Sequence, residues 1–167
     1  MLNSHRYLQP CNIFLDVYLF PKIGDFGFIT KRIHNLETIT YQTISGLNGS
    51  PVYSSPEILQ LNEYSKSGDV YAFAFVVYEI LTNKVPFENF NSNEIYKEVV
   101  INGNRPEIPN SLSISYRSLI EKSWSQDPND RPSFDTIVKL LKMIQIHNLL
   151  MVSIEMLSQA YFTAWMS

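Results

Sequence analysis

The stretch from Val70 to Leu81, Val-Tyr-Ala-Phe-Ala-Phe-Val-Val-Tyr-Glu-Ile-Leu, constrains the fold more than any other. Eleven of its twelve residues are apolar or aromatic, and Glu79 is its only charge. A surface helix shows a polar face, whereas a helix that is apolar all round is a buried one. A buried strand can also be a continuous apolar run, and Val76, Val77 and Ile80 are β-branched. Length and boundaries favour the helix. Ser67 is placed to cap it, and Asp69 suits the positive end of the helix dipole. Asn83 tolerates the left-handed conformation of a helix end, and Pro86 blocks continuation. The run is shorter than the ~20 residues a bilayer span needs. The expectation is a hydrophobic helix through the middle of a globular domain, with the other segments packed around it.

A chain of 167 residues is long enough for one domain with a real core. A hydrophobic content of 45% against 17% charged residues excludes a disordered chain. The net charge is −3 and the basic residues are scattered, which argues against a nucleic-acid-binding surface. The single cysteine, Cys11, allows no internal disulfide and no metal site built on Cys/His spacing. It points to a reducing, cytoplasmic setting. The N-terminal Met-Leu-Asn-Ser-His-Arg lacks the apolar core of a signal peptide.

In chain order, residues 1–12 read as a loop. Ile13-Phe14-Leu15 and the segments Tyr18-Leu19-Phe20 and Lys22-Ile23 on either side of Pro21 read as a short β-hairpin, ended by Gly24 and Gly27. Residues 28–55 are polar and read as a long loop, of a length that is usually functional or disordered. Glu57-Ile58-Leu59 begins a short helix, and the buried helix follows. Ser92 is placed to cap a third helix with Ile95, Val99 and Val100 on one face and Gly103 just beyond it. Leu112, Tyr116, Leu119, Ile120 and Trp124 repeat at the spacing of an amphipathic helix. Asp127-Pro128-Asn129-Asp130 is turn chemistry. Ser133 is placed to cap a last helix carrying Phe134, Ile137, Leu140, Leu141 and Ile144. The expected class is mainly α, a helical bundle around a buried central helix with one small β-hairpin.

Several short motifs stand in a telling order. His5-Arg6-Tyr7-Leu8-Gln9-Pro10-Cys11-Asn12 resembles the catalytic loop of protein kinases, His-Arg-Asp-Leu-x-x-x-Asn. Asp25-Phe26-Gly27 follows a strand, and Ser55-Pro56-Glu57 stands where that family has Ala-Pro-Glu. Asp69-Val70-Tyr71-Ala72-Phe73 is similar to the start of its central helix, and Trp124 to Phe134 resembles the segment before its last helix. The resemblance covers roughly residues 4–146 and implies the C-terminal lobe of a kinase domain. It sets a domain boundary at 1–146, with an apolar tail, expected to be helical, at 147–167.

Phosphoryl transfer depends on positioning and on neutralising charge. By the resemblance, Asp25 and Asn12 are the cofactor-binding residues, supplying hard oxygens to the magnesium ions that bridge the phosphates of ATP. Glu57 and Arg131 form the family's buried ion pair, and Asp69 holds the backbone of the catalytic loop. Ser50 and Pro51, in Gly49-Ser50-Pro51-Val52-Tyr53, look like the substrate loop of Ser/Thr-type kinases. The Arg-Pro-Ser-Phe sequence at 131–134 is common in the tyrosine-kinase-like group. Thr38, Thr40, Tyr41, Thr43 and Ser45 lie in the activation loop, where a phosphate could pair with Arg6.

Tyr7 replaces the catalytic aspartate. A phenol with a pKa near 10 is a poor base at neutral pH, and general-base catalysis contributes about 10²–10⁴-fold. Gln9 replaces the lysine that would meet the transferring phosphate. Neither the family's Gly-rich loop nor the lysine of its third strand lies within these 167 residues. The expected function is therefore a kinase-family domain without catalysis as it stands, a pseudokinase-like binding or regulatory module. The alternatives are a truncated product of an active Ser/Thr kinase, transferring the ATP γ-phosphate to protein hydroxyls, and a functionless fragment. The face carrying Phe26 and Phe28, and the apolar tail with Phe162 and Trp165, imply self-association or a protein partner rather than nucleic acid or membrane.

Overall fold

A computed structural model describes residues 4–25 and 50–148. Phe26, Gly27, Phe28, the activation-loop hydroxyls at 38–45 and the tail from Leu149 lie outside the described residues. The chain divides into two compact units, Met1–Ser133 and Phe134–Ser167.

The first unit is built on the expected central helix. We number the α-helices and strands in chain order. Helix α2 spans Lys66–Thr82, beginning four residues ahead of the apolar run. Its N-cap is Ser65, whose hydroxyl accepts from the Gly68 N–H at 3.2 Å; Ser67, the expected cap, lies inside the helix. Val70, Tyr71, Ala72, Ala74, Phe75, Val76 and Tyr78 are buried, whereas Ile80 and Leu81 emerge at the C-terminal end. Asn83 closes the helix in the left-handed conformation with φ 52°. The one charge in the run is satisfied: Glu79 accepts from the Tyr53 hydroxyl at 2.7 Å. That bond ties α2 to a 3₁₀ turn at Pro51–Tyr53.

Around α2 the core gathers Val52, Ile95, Val99, Ile108, Ile120 and Trp124. The Trp124 ring packs against Phe75 and Tyr78 at centroid distances of 5.2 and 5.9 Å. Helix α1, Pro56–Leu61, precedes α2 and ends at Asn62 with φ 59°. Helix α3, Ser92–Tyr96, is capped by Asn91 rather than Ser92. Asn91 and Glu94 form a reciprocal capping box, with the Asn91 side chain accepting from the N–H groups of Asn93 and Glu94. The helix then widens into a π-helical turn at Lys97–Ile101, followed by Gly103 at φ 67°. Helix α4, Ile114–Ser123, carries Leu119 and Ile120 on its buried side.

Strands β1, Ile13–Leu15, and β2, Pro21–Ile23, pair antiparallel with Phe14 opposite Lys22. Tyr18-Leu19-Phe20, expected as strand, forms the turn. Asp16 takes up the turn's backbone N–H groups at Tyr18 and Phe20, and these bonds compete with strand pairing. In the second unit a helix, α5, covers residues 134–148, the last described. Ile137 on it is buried, and Met143 and Ile146 are exposed. Among the described residues the architecture is mainly α with one two-stranded antiparallel sheet, as the sequence leads one to expect.

Candidate functional site

The site is the loop from His5 to Asn12 together with the end of β2. Asp69, in the first turn of α2, anchors it. Its carboxylate accepts from the backbone N–H groups of His5 at 2.6 Å and Arg6 at 2.7 Å. Burial pushes the Asp69 carboxyl above its usual value, although the two N–H donors and the neighbouring charge of Arg6 pull it down. The clamp holds Arg6 at φ 73°, a left-handed conformation rare for this residue type. The Arg6 guanidinium lies 5.5 Å from the centroid of the Tyr64 ring, and its Nε donates to Ser4 at 3.4 Å.

His5 joins the loop to β2. Its Nε2 lies 2.9 Å from the Gly24 carbonyl, which can only accept, so Nε2 carries the proton. Nδ1 is then the acceptor facing the Tyr7 N–H at 3.4 Å. This bridge fixes the backbone one residue ahead of Asp25. Sequence reasoning quoted His5 in a motif but gave it no task, because nothing local announces a partner 19 residues away.

Tyr7, which the resemblance sets at the position of the catalytic aspartate, is half-buried. Its carbonyl accepts from the Asn12 side-chain nitrogen at 2.8 Å. Asn12 is buried, and its amide oxygen is approached by the Cys11 thiol at 3.6 Å. Asp25 is exposed, with φ 60°. The donor chemistry fits magnesium, a hard cation that takes one or two protein oxygens and completes its shell with phosphate and water. Asn12 Oδ1 and the Asp25 carboxylate are the oxygens that would hold it, and the ion would neutralise phosphate charge there. Among the described residues no group of three His, Cys, Asp or Glu is placed to hold a metal on its own. Gln9 precedes the 3₁₀ turn at Pro10–Asn12 with extended backbone.

Further from the loop, Ser50 is exposed and heads the Pro51–Tyr53 turn. Glu57 and Arg131, 74 positions apart, meet as a bidentate pair at 2.7 and 2.9 Å. The Arg131 side chain is fully buried; it also donates to the carbonyls of Ser125 at 2.9 Å and Ser67 at 3.1 Å. Burial pushes the Glu57 carboxyl up, but hydrogen bonds and charge from Arg131 outweigh it, and the net shift is downward. Arg105 drew no notice in the sequence. Its guanidinium and that of Arg131 each lie 5.1 Å from the centroid of the buried Tyr71 ring. Arg105 Nε also donates to the Trp124 carbonyl at 2.9 Å.

These features agree with the comparisons. The family described as protein tyrosine and serine/threonine kinase matches residues 3–141. The dual specificity protein kinase shkC of Dictyostelium discoideum is 38% identical over 144 residues, covering 85% of this chain and 28% of that protein. The dual specificity protein kinase pyk3 of the same organism is 38% identical over 141 residues, 84% of this chain and 10% of its own length. The probable serine/threonine-protein kinase drkC is 36% identical over 138 residues, 83% of this chain and 18% of its own length. This chain thus spans under a third of the length of each of these curated relatives. With the ordered motifs on a helical lobe built round α2, and the match over residues 3–141, the chain belongs to the protein kinase family.

Proposed function

We propose that the chain is a pseudokinase-like binding or regulatory module of the tyrosine-kinase-like, Ser/Thr-type group, and that it transfers no phosphate as it stands. One observation carries this reading: Tyr7 occupies the position of the catalytic base. A phenol is a poor base at neutral pH and is bulkier than the carboxylate it replaces. Gln9 adds to this by supplying no charge to a transferring phosphate. In this reading ATP and magnesium are at most weakly held through Asn12 and Asp25, and the task passes to protein contacts. Those contacts are with another protein or a second copy, in a cytoplasmic, reducing setting that suits the exposed Cys11 thiol. No described helix is long and apolar enough to cross a membrane. The test is incorporation of labelled phosphate from ATP, with magnesium, into generic protein substrates. Wild type and Asp25→Ala are expected to be indistinguishable from buffer; magnesium-dependent transfer by wild type alone would overturn the proposal.

A second reading has its own support. The Asp69 clamp, the Asn12 and Asp25 oxygens and the Glu57–Arg131 pair are all retained, and an active Ser/Thr kinase of greater length would need each of them. Phosphotransfer by a longer product with Tyr7 in place would favour it.

A further inference from the structure

We propose that the tip of the β-hairpin, Val17–Phe20, is a self-association surface that meets the same tip on a second copy of this chain. Two-stranded hairpins turn on Gly, Asn and Asp, whose conformations and polarity suit an exposed tip. Here four consecutive apolar or aromatic residues stand there, with Val17 90%, Tyr18 77%, Leu19 74% and Phe20 63% exposed. Leu15, where the first strand ends, is 63% exposed.

The tip is held rigidly. One Asp16 carboxylate oxygen accepts from the N–H groups of Tyr18 and Phe20, both at 2.9 Å. The Asp16 carbonyl accepts from Leu19 N–H at 2.9 Å, and Asp16 N–H donates to the Phe20 carbonyl at 3.1 Å. Leu19 sits at φ 65°, where glycine or asparagine would relieve the strain. Backbone strain persists only where the surrounding structure holds it, and such residues cluster at functional sites and ligand clamps. A preformed tip also loses little freedom on docking.

Charge and area select the occupant. Lys22 lies 3.6 Å from Asp16, so the tip's charges are balanced within one copy. A basic or acidic partner surface would find no counter-charge, whereas two identical tips meet without repulsion. A fully uncovered aromatic side chain offers about 150–250 Å². At their exposures the five residues present roughly 600–700 Å², so a contact that covered nearly all of it would reach the low end of the ~600–1,000 Å² that each partner buries in a standard interface. A twofold arrangement lets this one patch serve both copies. The inference is independent of the loss of catalysis, which the phosphotransfer assay tests separately.

Light scattering across a dilution series of the 167-residue chain tests it. Wild type is expected to pass from dimer to monomer on dilution. Val17→Lys/Leu19→Asn should weaken the dimer at least a hundredfold without lowering Tm, since asparagine suits the backbone at 19. Tyr18→Arg, whose backbone N–H still reaches Asp16, should do the same should the double variant fail to fold. Ile114→Lys, at an apolar residue 80% exposed elsewhere, should dimerise like wild type. A wild-type mass of one chain at the highest concentration would overturn the proposal, as would tip variants that associate like wild type or an Ile114→Lys loss as large as theirs.

Discussion

The Arg131 guanidinium is shielded from water, and among the described residues the one carboxylate bonded to it is Glu57. Removing either side of such a pair leaves an uncompensated buried charge, at a cost of about 3–5 kcal/mol. Arg131→Ala should therefore lower Tm far more than Lys142→Ala, an exposed change; equal effects in thermal melts would reject the pair as a structural element. The pair also sets an acid dependence. Because the folded Glu57 carboxyl lies below its unfolded value, its contribution is present above the unfolded pKa and lost as pH falls through the folded one. The stability gap between wild type and Glu57→Gln should narrow over that fall, as read by denaturant melts at stepped pH. Asp69 runs the other way: its raised pKa makes its contribution complete below the unfolded value and lost as pH rises through the folded one. Tyr71 offers a converse case. Two guanidiniums lie over its ring, but its buried hydroxyl has no hydrogen-bond partner among the described residues. Tyr71→Phe should leave Tm unchanged or raise it, since an unpaired buried hydroxyl contributes only its desolvation penalty. A clear drop in Tm would show that the hydroxyl does find a partner.

At the scale of elements, α2 was legible because a twelve-residue run with eleven apolar residues has no polar face, and α4 because its apolar residues repeat at helical spacing. The caps were less legible. Ser65 and Ser67, or Asn91 and Ser92, all have cap chemistry, and the choice rests on which residue keeps extended backbone. Asn91 does so at φ −80° and ψ 170°, and its side chain then reaches two N–H groups. Asn91→Ala should consequently destabilise the first unit by about 1 kcal/mol, and Ser92→Ala should have little effect. The opposite order in chemical denaturation would return the cap to Ser92. The Tyr18–Phe20 turn reads as strand because its residues have high β propensity, which does not score the Asp16 side-chain bonds to the backbone that bend the chain there.

For the whole molecule, the site was legible only as an ordered set of motifs. No local pattern brings Glu57 to Arg131 or Asp69 to the backbone of His5 and Arg6; resemblance to a family supplied those contacts. The Tyr53–Glu79 bond, the His5–Gly24 bridge and Arg105 were missed, because contacts between distant segments leave no periodic trace. The retained scaffold and the altered base together define the last prediction. On the proposed reading, Tyr7→Asp in the purified 167-residue chain restores the residue type of the base on a loop already held by Asp69 and Asn12. It supplies nothing to clamp the far side of a nucleotide, and these residues contain no Gly-x-Gly-x-x-Gly pattern. Positioning and charge neutralisation dominate phosphoryl transfer, so a base without a held phosphate has nothing to act on. The Tyr7→Asp chain should remain inactive with magnesium and ATP, and ATP should not raise its Tm. Phosphate transfer by that single variant would show that Tyr7 alone stands between this lobe and catalysis.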